Sequence, residues 1–371
     1  LRPVLLATTL LVACNPENEI LERPITDDIA VTVFAPEEDP VEIVEMPRFY
    51  MIDVPYAPAV SDDGTVLLFD WRTGGDVYLW TEEEGLDWVT TTGAYFNSVK
   101  DISADGETII GSYGNYMIEE DTQAATWTED DGWTKLGALP DTLDCPMQSS
   151  GWSLTADGES AVGLAFEGCS AFAFRWDESD GMVPFEQVGN GGNRASRVSR
   201  NGALTVGFAQ GDYSRTPAVW YADGSGEVLN MGWTGEFYGV NADGTLAVGQ
   251  FGTKAALWSP DEGHRFLGLL GSPGQSNSTA YALCGPEDEI IIGTDTLNGG
   301  TATAWTEETG LVPMQDFLED LGMEFPSGTR LTSANACTPD KTVFVGAGGT
   351  NDDVVVWVAI LPEHVFETPE N

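Results

Sequence analysis

The chain has 371 residues, with 60 Asp and Glu against 15 Lys and Arg, a formal charge of −45. So few cations exclude a nucleic-acid binder and a polybasic membrane-surface protein, since both set Lys and Arg against phosphate; two His also leave little room for multi-His metal or catalytic sites. A hydrophobic content of 42% with 10% aromatics is too high for an acidic disordered chain.

The chain opens on an apolar run, VLLATTLLVA at residues 4–13, preceded by Arg2. Ten residues are too few to cross a hydrocarbon core of about 30 Å as a helix, and the run fits the apolar part of a secretory signal. It ends Leu11-Val12-Ala13-Cys14, which resembles the lipobox of bacterial lipoproteins. The resemblance implies a signal peptide over 1–13 and a lipid on Cys14 that partners the chain with a membrane. Asn15 follows the cysteine where Asp would favour inner-membrane retention, so the expected address is the outer membrane, on its surface or periplasmic face. Residues 14–47 are rich in Pro, Asp and Glu and read as the lipidated Cys followed by an extended acidic tether.

From there one unit repeats seven times: apolar-Ser/Asn-x-Asp-Gly, an apolar pair and Gly, then Ala-x-x-Trp, an acidic Gly turn and a short apolar run. The copies begin at Val60, Ile102, Leu154, Val198 and Val240, with degenerate ones at Cys284 and Cys337. Each has a downstream tryptophan: Trp80, Trp127, Trp176, Trp220, Trp258, Trp305 and Trp357, spaced by 47, 49, 44, 38, 47 and 52 residues. Seven of twelve tryptophans at one equivalent position mark a true internal repeat. Each copy reads as four short strands, with Asp-Gly as a type I′ hairpin signal. Four strands per repeat and seven copies predict an all-β fold, a seven-bladed β-propeller of four-stranded antiparallel blades over residues 48–363, with a tail at 364–371. The last copy, VVVWVAILPEHVF, lacks a fourth strand, which Arg48 to Val54 is placed to supply. An open β-solenoid is the rival architecture.

The repeat also resembles the bacterial HAF-type extracellular repeat. The likeness rests on S/N-x-D-G-x-x-x-V-G followed by A-F/V-x-W and covers about residues 55–360, most fully at Ala171-Phe172-Ala173-Phe174-Arg175-Trp176. It implies an exported, β-rich repeat protein and no particular reaction.

Within this frame Asp63, Asp105, Asp157 and Asp243 are turn residues rather than catalytic ones, since Asn201 takes the same place in blade four. The repeated Gly111, Gly163, Gly207, Gly249, Gly293 and Gly346 mark a bulge or a close strand approach. Export makes disulfides plausible; the pairs expected are Cys145–Cys169, between loops of one face, and Cys284–Cys337, at equivalent places in neighbouring blades. The stretch Met314 to Met323 has apolar residues at helical spacing and predicts a short surface helix.

The candidate ligand face consists of loops that open on one side: Tyr113, Tyr116, Trp152, Arg194, Arg197, Tyr213, Trp233 and Tyr238. Aromatics with a few Arg on an acidic protein suit a glycan or a peptide. The expected function is a monomeric, envelope-anchored binding scaffold for a protein partner or an extracellular glycan. The alternatives are a hydrolase or lyase acting on polysaccharide and a structural part of outer-membrane assembly. No catalytic residue, metal site or cofactor is assigned; calcium is considered only at Asn351-Asp352-Asp353 and at Asp295-Thr296-Leu297-Asn298.

Overall fold

The computed structural model describes residues 45–93, 99–114, 122–139, 148–167, 169–211, 214–229, 232–350 and 354–366. Cys14, the tether up to residue 44, Cys145, Tyr116, Tyr213 and the loop at 351–353 lie outside them. The unit from Glu45 onward is a seven-bladed β-propeller: seven antiparallel sheets of four strands each. From blade one to blade seven the innermost strands are Tyr56–Val60, Asp101–Ile102, Ser149–Leu154, Asn193–Val198, Gly235–Val240, Ser278–Cys284 and Thr329–Cys337. The first strand among the described residues, Arg48–Ile52, pairs antiparallel with Val355–Ile360 and completes blade seven, Tyr50 opposite Val358. One sheet thus joins the two ends of the ring and covers an edge that would otherwise be unpaired.

The seven repeat tryptophans hold blade to blade. Trp127 packs with Leu67 and Phe69 of blade one. Trp220 packs with Val162 and Phe185 of blade three, and Trp80 with Val345 and Val358 of blade seven. The helix is Met314–Asp320, at the surface as expected, with Asp316, Glu319 and Asp320 exposed. Met314 and Leu318 are fully buried, in a cluster with Trp357 and Phe344 of blade seven.

The Asp-Gly turns differ from the expected type I′. Only the glycine takes positive φ, as at Gly106 and Gly158 (75° and 71°). Its N–H closes back on the Ser or Thr carbonyl three residues earlier, at 3.1 Å and 3.0 Å. This is the pattern of an ordinary turn followed by a left-handed residue. The Asp carboxylate accepts from the hydroxyl two residues back and from the amide two residues on, 2.6 and 3.0 Å for Asp105. Turn chemistry therefore accounts for the repeated aspartates.

The same turns link blades one to five. Asp62 N–H donates to the Ala104 carbonyl, Ala104 to Ala156, Ala156 to Arg200 and Asn201 to Ala242, at 2.8–3.3 Å. In the degenerate copies Asp288 and Lys341 occupy the left-handed position, with φ of 56° and 60°. There the hydrogen-bonded belt gives way to other links. Asn241 Nδ2 donates to Asp288 at 2.7 Å, Lys341 pairs with Glu289, and a Cys284–Cys337 disulfide with Cα atoms 5.8 Å apart bridges blades six and seven. Cys169 is also disulfide-bonded; its expected partner, Cys145, is outside the described residues.

The repeated glycines of the second strand lie opposite a register shift in the innermost strand. Pairing jumps from Gly151 to Ser153, Ala195 to Arg197, Phe237 to Gly239, Ala280 to Ala282 and Ala334 to Ala336. A Cβ on Gly163, Gly207 or Gly249 would fall 2.1 Å from the carbonyl oxygen of Ser150, Arg194 or Glu236. The inner backbone therefore presses onto the glycine, and one extra residue is turned out of the ladder.

Candidate functional site

The residue that each bulge turns out is aimed at the axis of the ring. These residues are Trp152, Ser196, Tyr238, Tyr281 and Asn335 in blades three to seven. Blade one has Pro58 in the irregular stretch between Tyr56 and Ala59. Blade two has Lys100, whose N–H reaches the Ile110 carbonyl while Asp101 also pairs with Ile110. All seven line one axial cavity of about 400 Å³, with Tyr56, Arg194, Arg197 and Ser333. That volume lies in the range of small-molecule sites. A second cavity of about 150 Å³ continues toward the hairpin turns and shares Pro58, Arg197, Tyr281 and Asn335.

Three of the chain's fifteen basic residues meet at this cavity, Lys100, Arg194 and Arg197. Arg194 is already partnered. It pairs with Glu236, which is 2% exposed and also accepts from Arg215 at 2.7 Å and Ser196 Oγ at 2.9 Å. Burial nonetheless pulls the Arg194 guanidinium below the usual arginine value. Its guanidinium lies 3.9 Å from the centre of the Trp152 ring, and Lys100 Nζ lies 4.9 Å from the same centre.

Lys100 and Arg197 have no carboxylate partner among the described residues. Arg197 Nη1 donates to the Trp152 carbonyl at 2.9 Å. Burial, with the charges of Arg197 and Arg194 adding to it, draws the Lys100 ammonium down to about 8. Burial also pushes the Tyr281 hydroxyl up to about 12, and raises those of Tyr238 and Tyr56. The three phenols therefore stay protonated donors at neutral pH.

Trp152, Arg194 and Arg197, expected on loops, instead sit on innermost strands and come together in the cavity with Tyr238. Tyr113 does not join them: it stacks on Trp133 with ring centres 5.4 Å apart. Trp233 also lies apart, 51% exposed in the loop before the inner strand of blade five. The structure adds Lys100, Tyr56, Tyr281, Ser333 and Asn335, which sequence reasoning misses. Of the calcium candidates, Asp295 is fully buried and engaged with the amides of Leu270 and Leu297 and with Ser276 Oγ. Among the described residues no cluster of three or more His, Cys, Asp or Glu is placed to hold a metal.

No family model matches the chain, and no curated protein matches it. Solved structures share its architecture. An oligogalacturonate lyase from Vibrio parahaemolyticus is 12% identical with a TM-score of 0.50, covering 86% of this chain and 98% of that one. The propeller domain of the Trilobed protease from Pyrococcus furiosus is 11% identical with a TM-score of 0.50, covering 84% and 95%. TolB from Acinetobacter baumannii is 14% identical with a TM-score of 0.42, covering 56% of this chain, which spans about half (52%) of TolB. At identities this low, the two matches with a TM-score of 0.50 establish a shared propeller fold and nothing about activity.

Proposed function

We propose that this propeller is a binding module of the bacterial cell envelope, held by a lipid on Cys14, and that it takes an extracellular glycan in its axial cavity. The observation that carries the reading is the ring of seven equivalent bulge positions. The positions that flank them are apolar or small except at Asp101 and Arg197, yet these seven are Pro, Lys, Trp, Ser, Tyr, Tyr and Asn. A position that varies so widely between copies and faces one cavity suits recognition of an asymmetric ligand. The Cys284–Cys337 disulfide supports an oxidising, exported setting.

The hydrolase reading is weaker. The lining of the cavity holds no carboxylate among the described residues, and Glu236 is engaged by two arginines. A protein partner is the second reading, favoured by Trp233, exposed on the same side of the ring.

The test is to fill the cavity with Ser196→Trp and compare both proteins on arrayed envelope glycans. Loss of all glycan binding in the variant supports the axial site. Unchanged binding moves recognition to the rim, and glycan-independent capture of an envelope protein supports the second reading. Membrane fractionation of cells carrying Cys14→Ser tests the anchor: release to the soluble fraction is expected.

A further inference from the structure

We propose that the ligand is an acidic sugar, with Lys100 and Arg197 receiving its carboxylate and the Tyr56, Tyr238 and Tyr281 hydroxyls taking its ring oxygens; this narrower assignment rests on the glycan reading above. The first observation is charge. On a chain of −45, two cations without acidic partners meet at a single cavity, and nearby carboxylates are spent on Arg194 and Arg215. Holding like charges together in a half-buried site is unfavourable unless an anion joins them.

The second observation separates a sugar from a peptide. A peptide that brought its carboxylate here by strand addition would lay its backbone along the inner strand edge. Along the inner edge, carbonyls are capped from within: Arg197 takes that of Trp152 and Asn335 Nδ2 takes that of Ala57 at 3.1 Å. Donors spread around a ring fit hydroxyls spread around a sugar. The side chains involved differ between blades, so the recognition is built mainly by the bulge positions and their neighbours rather than by the repeat.

The experiment is calorimetric titration of the lipid-free mature chain with glucuronate and galacturonate oligomers, with glucose oligomers of equal length, and with a short peptide in free-acid and amidated forms. Binding of the uronates and not of the neutral sugars is expected, weakened at least tenfold by Lys100→Met and by Arg197→Met. Arg197→Lys, which keeps the charge, guards against a folding defect and retains part of the affinity. Equal binding of neutral and acidic oligomers, blocked by Ser196→Trp, would overturn the acidic-sugar assignment and leave the axial site standing. Binding of the free-acid peptide alone would overturn the sugar. Uronate binding that Lys100→Met and Ser196→Trp both leave unchanged would overturn the site.

Discussion

Lys100→Met carries a prediction with two readouts of opposite sign. In the folded chain the ammonium titrates near 8 against a usual 10.5, so the charged form is disfavoured by about 3 kcal/mol at pH 7. Its contact with the Trp152 ring at 4.9 Å offsets part of this, by roughly 1 kcal/mol. Met fills similar space without the charge, so the variant should be more stable than the parent by about 2 kcal/mol at pH 7. The sign follows from linkage. Between pH 8 and 10.5 the unfolded chain binds the extra proton, so the parent gains stability there and the advantage of the variant shrinks to nothing by about pH 10.5. Urea unfolding of both proteins at pH 7 and pH 10.5, with slopes compared, measures this. A variant less stable at pH 7, or a difference independent of pH, would show that the Lys100 charge is not strained in the fold. A cation kept at such a cost fits the proposed binding role, in which stability is given up for function.

Three further predictions concern the ring. Removing the disulfide with Cys284→Ala/Cys337→Ala frees a span of 53 residues, and chain entropy puts the loss at about 4 kcal/mol; urea midpoints without reductant should fall accordingly, and a loss below about 1 kcal/mol would mean the ion pair and the closing sheet already hold blades six and seven. Gly249→Ala places a Cβ 2.1 Å from the Glu236 carbonyl, so the bulge must shift, at a cost of about 3 kcal/mol by thermal unfolding; a cost near that of an exposed strand glycine would refute the close approach. The Ser103 hydroxyl and Glu107 amide hold the Asp105 carboxyl below its usual range, as Thr155 and Glu159 do for Asp157. The stability they give is present above the unfolded carboxylate range and lost as pH falls through the folded one; Asp105→Asn/Asp157→Asn, which copies the Asn201 turn of blade four, should flatten the acid limb of a stability–pH curve while changing little at pH 7.

The ring is legible because its signals are local and repeated. Trp80 to Trp357 recur at blade spacing, and the Asp-Gly turns fall between apolar runs; the structure keeps both. Even the closing strand, Arg48–Ile52, follows from what the last copy lacks. The turn type does not, because Asp-Gly is shared by type I′ hairpins and by turns in which only the glycine is left-handed, and only the backbone tells them apart. Trp152 reads as a loop residue for a physical reason: a bulge breaks the two-residue alternation, so Gly151-Trp152-Ser153 does not read as strand. Tyr238 falls in a strand expected at Phe237 to Asn241, but the pattern does not show that the bulge turns it toward the axis. Lys100 and Tyr281 escape notice because each looks ordinary within its own copy. The signal that finds them is alignment of the copies. The position lies two residues before the apolar residue that opens each turn, or three before Cys284 in blade six, and its chemistry changes around the ring.

The distribution of the acid bears on how the proposed anionic ligand would approach so negative a protein. Antiparallel blades send the first and third turns of every blade to the side opposite the blade-to-blade loops. Asp105 and Glu107 of one turn accordingly share a cavity with Glu129, Asp130 and Asp131 of another. Glu129, Asp130 and Asp131 turn between the third and fourth strands of blade two, two to three strand spacings of about 4.8 Å outward of the inner strand beside Lys100, which sets them roughly 12 Å or more from the axial cavity. That exceeds the Debye length of about 8 Å at physiological salt and falls short of the roughly 30 Å at 0.01 M. Glu129→Lys/Asp130→Lys/Asp131→Lys, all exposed, should therefore tighten uronate binding several-fold at about 0.01 M salt and leave it within about twofold at about 0.15 M. An equal gain at both salt concentrations would mean that these charges reach the ligand through the structure rather than through the solvent. It would also mean that Lys100 and Arg197 do not act as a local pair.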